Sequence, residues 1–242
     1  MDGMNIAVVF PGQGSQSIGM LSDYAGTWPQ IEETFKQASD ILGYDCWDIV
    51  CNGPVEKLNK TEITQPVMLA ADIAVMRVMA QQCMLTPFVY AGHSLGEYAA
   101  LVAAEALDFE DAIKLVSKRG QLMQSCVPEG EGAMAAIIGL ADEPIIRICA
   151  QVSEETNSVV EAVNFNSPGQ VVIAGSTAAV NTAIDRLKEE GAKRALPLPV
   201  SVPSHSSMMK PAADELAIFL KDININIPKV QVIHNADAKS HD

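Results

Sequence analysis

Three stretches follow one another without a break: the apolar run Phe88-Val89-Tyr90-Ala91, the segment Gly92-His93-Ser94-Leu95-Gly96-Glu97-Tyr98, and an Ala-, Leu- and Glu-rich stretch over 95–107. The first is short enough for a buried strand and the last reads as a helix, so the pattern G-x-S-x-G falls on a tight strand-to-helix turn. A serine on such a turn has its hydroxyl pushed out of the backbone. Glycines on both sides are expected to leave room for substrate. The Leu95 N–H and the positive end of the helix then face any oxyanion formed nearby. The alternative is a serine that only shapes the turn.

The rest of the chain repeats the strand-then-helix order. Ile6-Ala7-Val8-Val9-Phe10 is a continuous apolar run, expected to be a strand covered on both faces. It ends in Pro11-Gly12-Gln13-Gly14-Ser15-Gln16, a loop whose glycines let backbone N–H groups approach a ligand. Helices are predicted over 29–42, 66–82 and 110–126, with Thr64 as N-cap of the second and Pro66 in its first turn. Strands alternating with helices predict an α/β fold with a parallel, doubly wound sheet. Between 130 and 199 the pattern changes to β-α-β-β-α-β, with strands over 133–139, 159–164, 170–174 and 194–198 and helices over 143–155 and 176–190. That order predicts a ferredoxin-like subdomain at 130–199 inserted into a core made of 1–129 and 200–242. The core resumes with a helix over 211–220 and a strand over 230–233.

Composition excludes several functions. The chain has 242 residues, 48% hydrophobic and 19% charged, enough for a sizeable core. A formal net charge of −14 argues against nucleic-acid and anionic-membrane partners. No uninterrupted apolar run approaches a membrane span, and Met1-Asp2-Gly3-Met4 is unlike a signal peptide. Cysteines 46, 51, 83, 126 and 149 form no C-x-x-C pair, in keeping with reduced thiols in a cytoplasm. Histidines 93, 205, 234 and 241 lack metal-ligand spacing, so no metal is expected.

A serine nucleophile needs a base. His93 adjoins Ser94 but should point to the opposite face, as a packed or hydrogen-bonded histidine. His234 lies in an apolar strand and His241 at the chain end. His205 lies in the polar loop Ser201-Val202-Pro203-Ser204-His205-Ser206-Ser207, just after a strand, and is the leading base. No acid between Ser94 and His205 is an obvious partner for it, so a dyad is expected. Arg119 sits inside the apolar stripe Ala112, Leu115, Val116, Gly120 and Met123 of its helix. A guanidinium there must find a partner. Two remain open: an internal carboxylate, or the free carboxylate of a dicarboxylic acyl group.

Taken together, Phe10-Pro11-Gly12-Gln13-Gly14-Ser15-Gln16, the Ser94 segment, Lys118-Arg119-Gly120, Asn164-Phe165-Asn166-Ser167-Pro168-Gly169-Gln170 and Val202-Pro203-Ser204-His205 resemble the malonyl-CoA:acyl carrier protein transacylases. The match runs in order along nearly the whole chain, and is closer to the stand-alone bacterial enzymes of type II fatty-acid synthesis than to a synthase module. The resemblance implies an α/β-hydrolase-like core with a ferredoxin-like insert. It also implies Ser94 as nucleophile, His205 as base, the Gln13 and Leu95 N–H groups as oxyanion hole, and Arg119 as the grip on the malonyl carboxylate. Malonyl-CoA would be substrate and acyl carrier protein the acceptor, with no further cofactor, in a cytoplasmic monomer. Members of the family continue past the strand near 230–235 with helices and a carbonyl that orients the catalytic histidine, whereas this sequence stops at Asp242. Competing expectations are a serine esterase or thioesterase, and an inactive form that only binds carrier protein.

Overall fold

The computed structural model describes residues 6–82, 86–200 and 202–241; Met1 to Met4, Cys83 and Ser201 lie outside the described residues. The first half runs β1 (Ile6–Phe10), α1 (Ser22–Ala25), α2 (Gln30–Leu42), α3 (Cys46–Asn52), α4 (Val55–Leu58), α5 (Thr61–Gln82), β2 (Pro87–Gly92), α6 (Gly96–Ala103) and α7 (Phe109–Ser125). Then follow β3 (Gly132–Ile138), α8 (Asp142–Thr156), β4 (Val160–Ser167), β5 (Gln170–Ser176), α9 (Thr177–Glu189), β6 (Arg194–Pro197), α10 (Lys210–Phe219) and β7 (Gln231–Ile233). The fold is mixed α/β, with one parallel and one antiparallel sheet. The chain forms two units, Met1–Gln121 with Ile218–Asp242, and Leu122–Ala217.

In the first unit, β1, β2 and β7 pair in parallel in the order β1-β2-β7. Phe10, Tyr90 and Val232 are buried. The opposite face differs from the expectation for 6–10. Val9 is 73% exposed, Ala7 is exposed, and their partners Val89 and Ala91 are only half-buried. A continuous apolar run therefore marks a strand whose covering, among the described residues, is one-sided.

Helix α5 starts earlier than its capping signals predict. Its first turn begins at Thr61, and Pro66 lies inside the helix rather than in its first turn. Thr64 is buried there, and its hydroxyl donates to the Lys60 and Leu58 carbonyls instead of capping. By length and composition α5 could cross a membrane, but Thr64 to Ala74 is buried without a break, as befits a core helix. Asp72 lies within that stretch, 9% exposed, and its Oδ2 has no hydrogen-bond partner. Burial pushes its pKa from 3.8 up to about 7. Between those values the unfolded chain gives up a proton that the folded chain keeps. Stability should therefore fall as pH rises from about 4 to 7, by at most about 4 kcal/mol, and level off above. Urea unfolding of the native chain and of Asp72→Asn across that range checks this. The variant should gain on the native chain up to neutral pH, and a difference that stays flat with pH would contradict it.

In the second unit, β3 to β6 form an antiparallel sheet in the order β4-β5-β3-β6. Helices α8 and α9 bury Ile145, Ile148, Ile184 and Leu187 against Ile137 and Ile173 of the sheet. Both ends of α9 are chemically marked. Ser176 caps α9 by accepting from the Ala179 N–H at 3.4 Å, and Gly191 follows its end at φ 109°. A separate cluster packs Val202, Met209 and Ala212 on Leu122, Met123 and Val127, which fixes the segment that carries His205.

Candidate active site

Ser94 sits between the end of β2 and the first turn of α6, with φ 52°. A left-handed conformation costs a non-glycine residue roughly 1–2 kcal/mol, so neighbouring bonds must hold it. They are present. The His93 N–H donates to the Phe10 carbonyl at 3.0 Å and the Gly96 N–H to the His93 carbonyl at 3.0 Å. The Ser94 N–H donates to Asn235 Oδ1 at 2.9 Å.

The flanking glycines have another purpose than the one expected. A Cβ on Gly92 would lie 1.9 Å from the Gly96 carbonyl carbon, and one on Gly96 would lie 2.3 Å from the Phe10 oxygen. They leave room for the chain itself, not for substrate. The loop after β1 presses equally close, since a Cβ on Gly12 would meet the His93 oxygen at 2.5 Å. Its next residue, Gln13, is tied to the start of α5 by Nε2 donating to Thr61 Oγ1 at 3.1 Å. His93 itself is exposed.

Arg119 reaches the serine from α7. Its Nη2 donates to Ser94 Oγ at 3.1 Å and its Nη1 to Gln65 Oε1 at 2.7 Å, while its carbon stands 5.6 Å from the Tyr98 ring centre. No salt bridge among the described residues includes it, which removes the internal carboxylate left open above. Desolvation lowers its pKa, opposed by Tyr98 and Glu97. Helix α7 comes this near because Gly120 has no side chain: a Cβ there would lie 2.7 Å from both Thr61 O and Glu62 Cα.

His205 belongs to the second unit. It too is left-handed, at φ 67°, in a turn closed by buried Ser206, whose Oγ donates to the Pro203 carbonyl at 2.7 Å. The Ser207 N–H donates to Glu161 Oε2 at 2.6 Å. Ser94 and His205 are thus two of the six described non-glycine residues with positive φ. Leu95, buried at the start of α6, completes the predicted set. Neither its N–H nor that of Gln13 has an acceptor among the described hydrogen bonds.

Residues that sequence reasoning passed over also meet at the elbow. Glu97 Oε2 accepts from the Asn235 N–H at 2.7 Å, and its Oε1 from His234 Nδ1 at 2.8 Å. His234 follows β7 rather than lying within it. The apolar setting of 230–233 hid this role. No group of three or more metal-ligating side chains occurs among the described residues.

The sequence matches the acyl transferase domain family over residues 7–242. It is 61% identical over 235 residues to a malonyl CoA-acyl carrier protein transacylase of Haemophilus influenzae, covering 97% of this chain and 75% of that one. The fold superposes with a TM-score of 0.95 on the malonyl CoA-acyl carrier protein transacylase of Coxiella burnetii, at 52% identity, covering 98% of this chain and 74% of the other. It superposes equally well, TM-score 0.95 and 55% identity, on a malonyl-transacylase in complex with its type II PKS acyl-carrier protein, covering 98% and 76% of the two chains.

Proposed function

The chain belongs to the acyl transferase domain family, and on that premise we propose that it moves a malonyl group from coenzyme A to the phosphopantetheine thiol of acyl carrier protein. Ser94 is the nucleophile and His205 the base. In the first half-reaction the Ser94 hydroxyl gives its proton to His205 and attacks the thioester carbon. The C–S bond breaks, and the leaving thiolate of coenzyme A takes the proton from the histidine. In the second, the carrier thiol gives a proton to the same base and attacks the serine ester, and Ser94 leaves with its proton restored. The Leu95 and Gln13 N–H groups hold the oxyanion in both, a role supported by their having no other acceptor among the described hydrogen bonds.

One observation carries the choice of acyl group: the guanidinium 3.1 Å from Ser94 Oγ, with no described salt bridge of its own. In a malonyl ester the free carboxylate carbon lies two C–C bonds from the carbonyl carbon, about 2.5 Å away. A cation beside the ester oxygen is therefore within reach of that carboxylate, and an acetyl group offers it nothing. Neither the esterase reading nor the carrier-only reading explains this placement.

The parallel-sheet unit serves as an α/β-hydrolase-like core. The ferredoxin-like insert is assigned to 130–199 on its β-α-β-β-α-β order and its strand order, inside the wider unit 122–217. The enzyme works as a monomer in the cytoplasm, with no cofactor beyond its thioester substrate.

Incubation with malonyl-CoA, followed by intact-mass analysis and peptide mapping, tests the reading. The expected result is one malonyl group on Ser94 that transfers to added holo carrier protein. An unmodified protein, or free malonate released without thiol as fast as transfer occurs, would overturn it.

A further inference from the structure

The first turn of α6 and the end of β7 are joined by a set of hydrogen bonds that the transfer chemistry does not itself require. Asn235 stands at its centre. Its Oδ1 accepts the Ser94 N–H at 2.9 Å, and its Nδ2 donates to the Gly92 carbonyl at 2.6 Å and to Glu97 Oε2. The amide can face only one way: turned over, it would set its NH2 against an N–H and its oxygen against two acceptors. Glu97 then holds Asn235 in place. One carboxylate oxygen accepts both the Asn235 N–H and its side-chain amide, and the other accepts from His234 Nδ1, which must be the protonated nitrogen because a carboxylate there only accepts.

We propose that Asn235, fixed by Glu97 and His234, is a positioning residue that clamps the serine turn and occupies the Ser94 N–H, leaving the Leu95 N–H as the elbow's free donor to the oxyanion.

The chemistry gives this a reason. A helix start exposes several N–H groups in succession, and an anion is drawn to whichever are unpaired. If the Ser94 N–H were unpaired, the turn could present either donor, and its left-handed residue could relax. The bonds to Gly92 O and Ser94 N span the peptide groups on both sides of His93, so the turn is held at both ends by one side chain. Glu97 brings a negative charge close to where an oxyanion forms, which would oppose it. Both its oxygens are occupied by donors, the Asn235 N–H and the imidazole of His234, which partly offset that charge.

Two readouts test the clamp, and only one depends on the transferase reading. The first is amide hydrogen exchange in the peptide containing Ser94, with or without activity. Asn235→Ala and Asn235→Asp should both speed exchange there while the β3 to β6 sheet stays protected. Aspartate keeps the acceptor for Ser94 but sets a carboxylate against the Gly92 carbonyl and Glu97, so isosteric replacement should fail to restore protection. The second is the single-turnover rate of Ser94 malonylation. Asn235→Ala should lower it roughly 10- to 100-fold with little change in KM for malonyl-CoA. The loss should shrink with distance from the serine, through Glu97→Ala to His234→Ala. Unchanged exchange at Ser94 in both Asn235 variants would overturn the clamp, as would a loss borne by KM alone or a reversed order among the three residues. If Asn235→Ala misfolds, Glu97→Gln decides instead, since one amide oxygen can still accept from Asn235 and protection at Ser94 should be partly kept. Should the native chain take up no malonyl group, the transferase reading fails while the exchange result still settles the clamp.

Discussion

Ser94→Ala is expected to take up no malonyl group and to lose transfer by about 10⁵- to 10⁶-fold, the scale seen when a serine nucleophile is removed from a catalytic unit. Alanine has the same Cβ as serine, so the cost of φ 52° is unchanged and the turn should survive. The hydroxyl is what disappears, along with an acceptor for Arg119. Two of the described cysteines are ruled out as rival nucleophiles. Burial pushes the Cys46 and Cys149 thiols up to about 11 and about 12, so neither is a thiolate at neutral pH. The pairing with His205 adds a sharper requirement. If serine and base act as one unit, His205→Ala should cost nearly as much alone, and the double variant should lose little more than either. Losses that multiply would mean that His205 is not the base. A malonyl group retained elsewhere in Ser94→Ala would mean that Ser94 is not the nucleophile.

How much of this could be read in the sequence depended on how local the determinants were. The Ser94 elbow was legible because strand, turn and helix are consecutive and each type of residue has one explanation there. Arg119 was legible through helical periodicity, which placed a charge on an apolar face without saying what it met. The start of α5 was misread because Thr64 and Pro66 imitate a first turn, whereas the helix had already begun at Thr61. Helices α1, α3 and α4 are only 4, 7 and 4 residues long, too short to display a period. The strand over 6–10 looked two-sided because an apolar run records what a face tolerates, not what covers it. The role of Asn235 could not be read at all. It is separated from Ser94 by 141 residues and from Glu97 by 138, and no local pattern joins an asparagine after one strand to a turn after another.

Arg119→Ala is expected to change which acyl group the enzyme prefers more than whether it works. On the proposed reading, a malonyl carboxylate would meet a fork of donors that is partly withdrawn from water and held in place by Gln65. An acetyl group leaves that cation beside it with no added partner. Losing one side of a desolvated, hydrogen-bonded charge pair costs roughly 2–5 kcal/mol, and each 1.4 kcal/mol is tenfold. The ratio of kcat/KM for malonyl-CoA over acetyl-CoA should therefore fall by about 10²-fold. Most of that fall should come from slower malonyl transfer. Acetyl transfer should hold steady or rise, since the variant no longer sets an unpaired charge beside the acetyl methyl. Arg119→Lys separates charge from geometry. A lysine restores a point charge but not two parallel donors, so it should recover only part of the preference. Competition between the two thioesters, read as the ratio of malonyl to acetyl groups on Ser94, makes the comparison in one tube. An unchanged ratio in Arg119→Ala would remove Arg119 from substrate recognition and leave it as a structural partner of Gln65 and Ser94. Full recovery in Arg119→Lys would mean that charge alone selects the substrate.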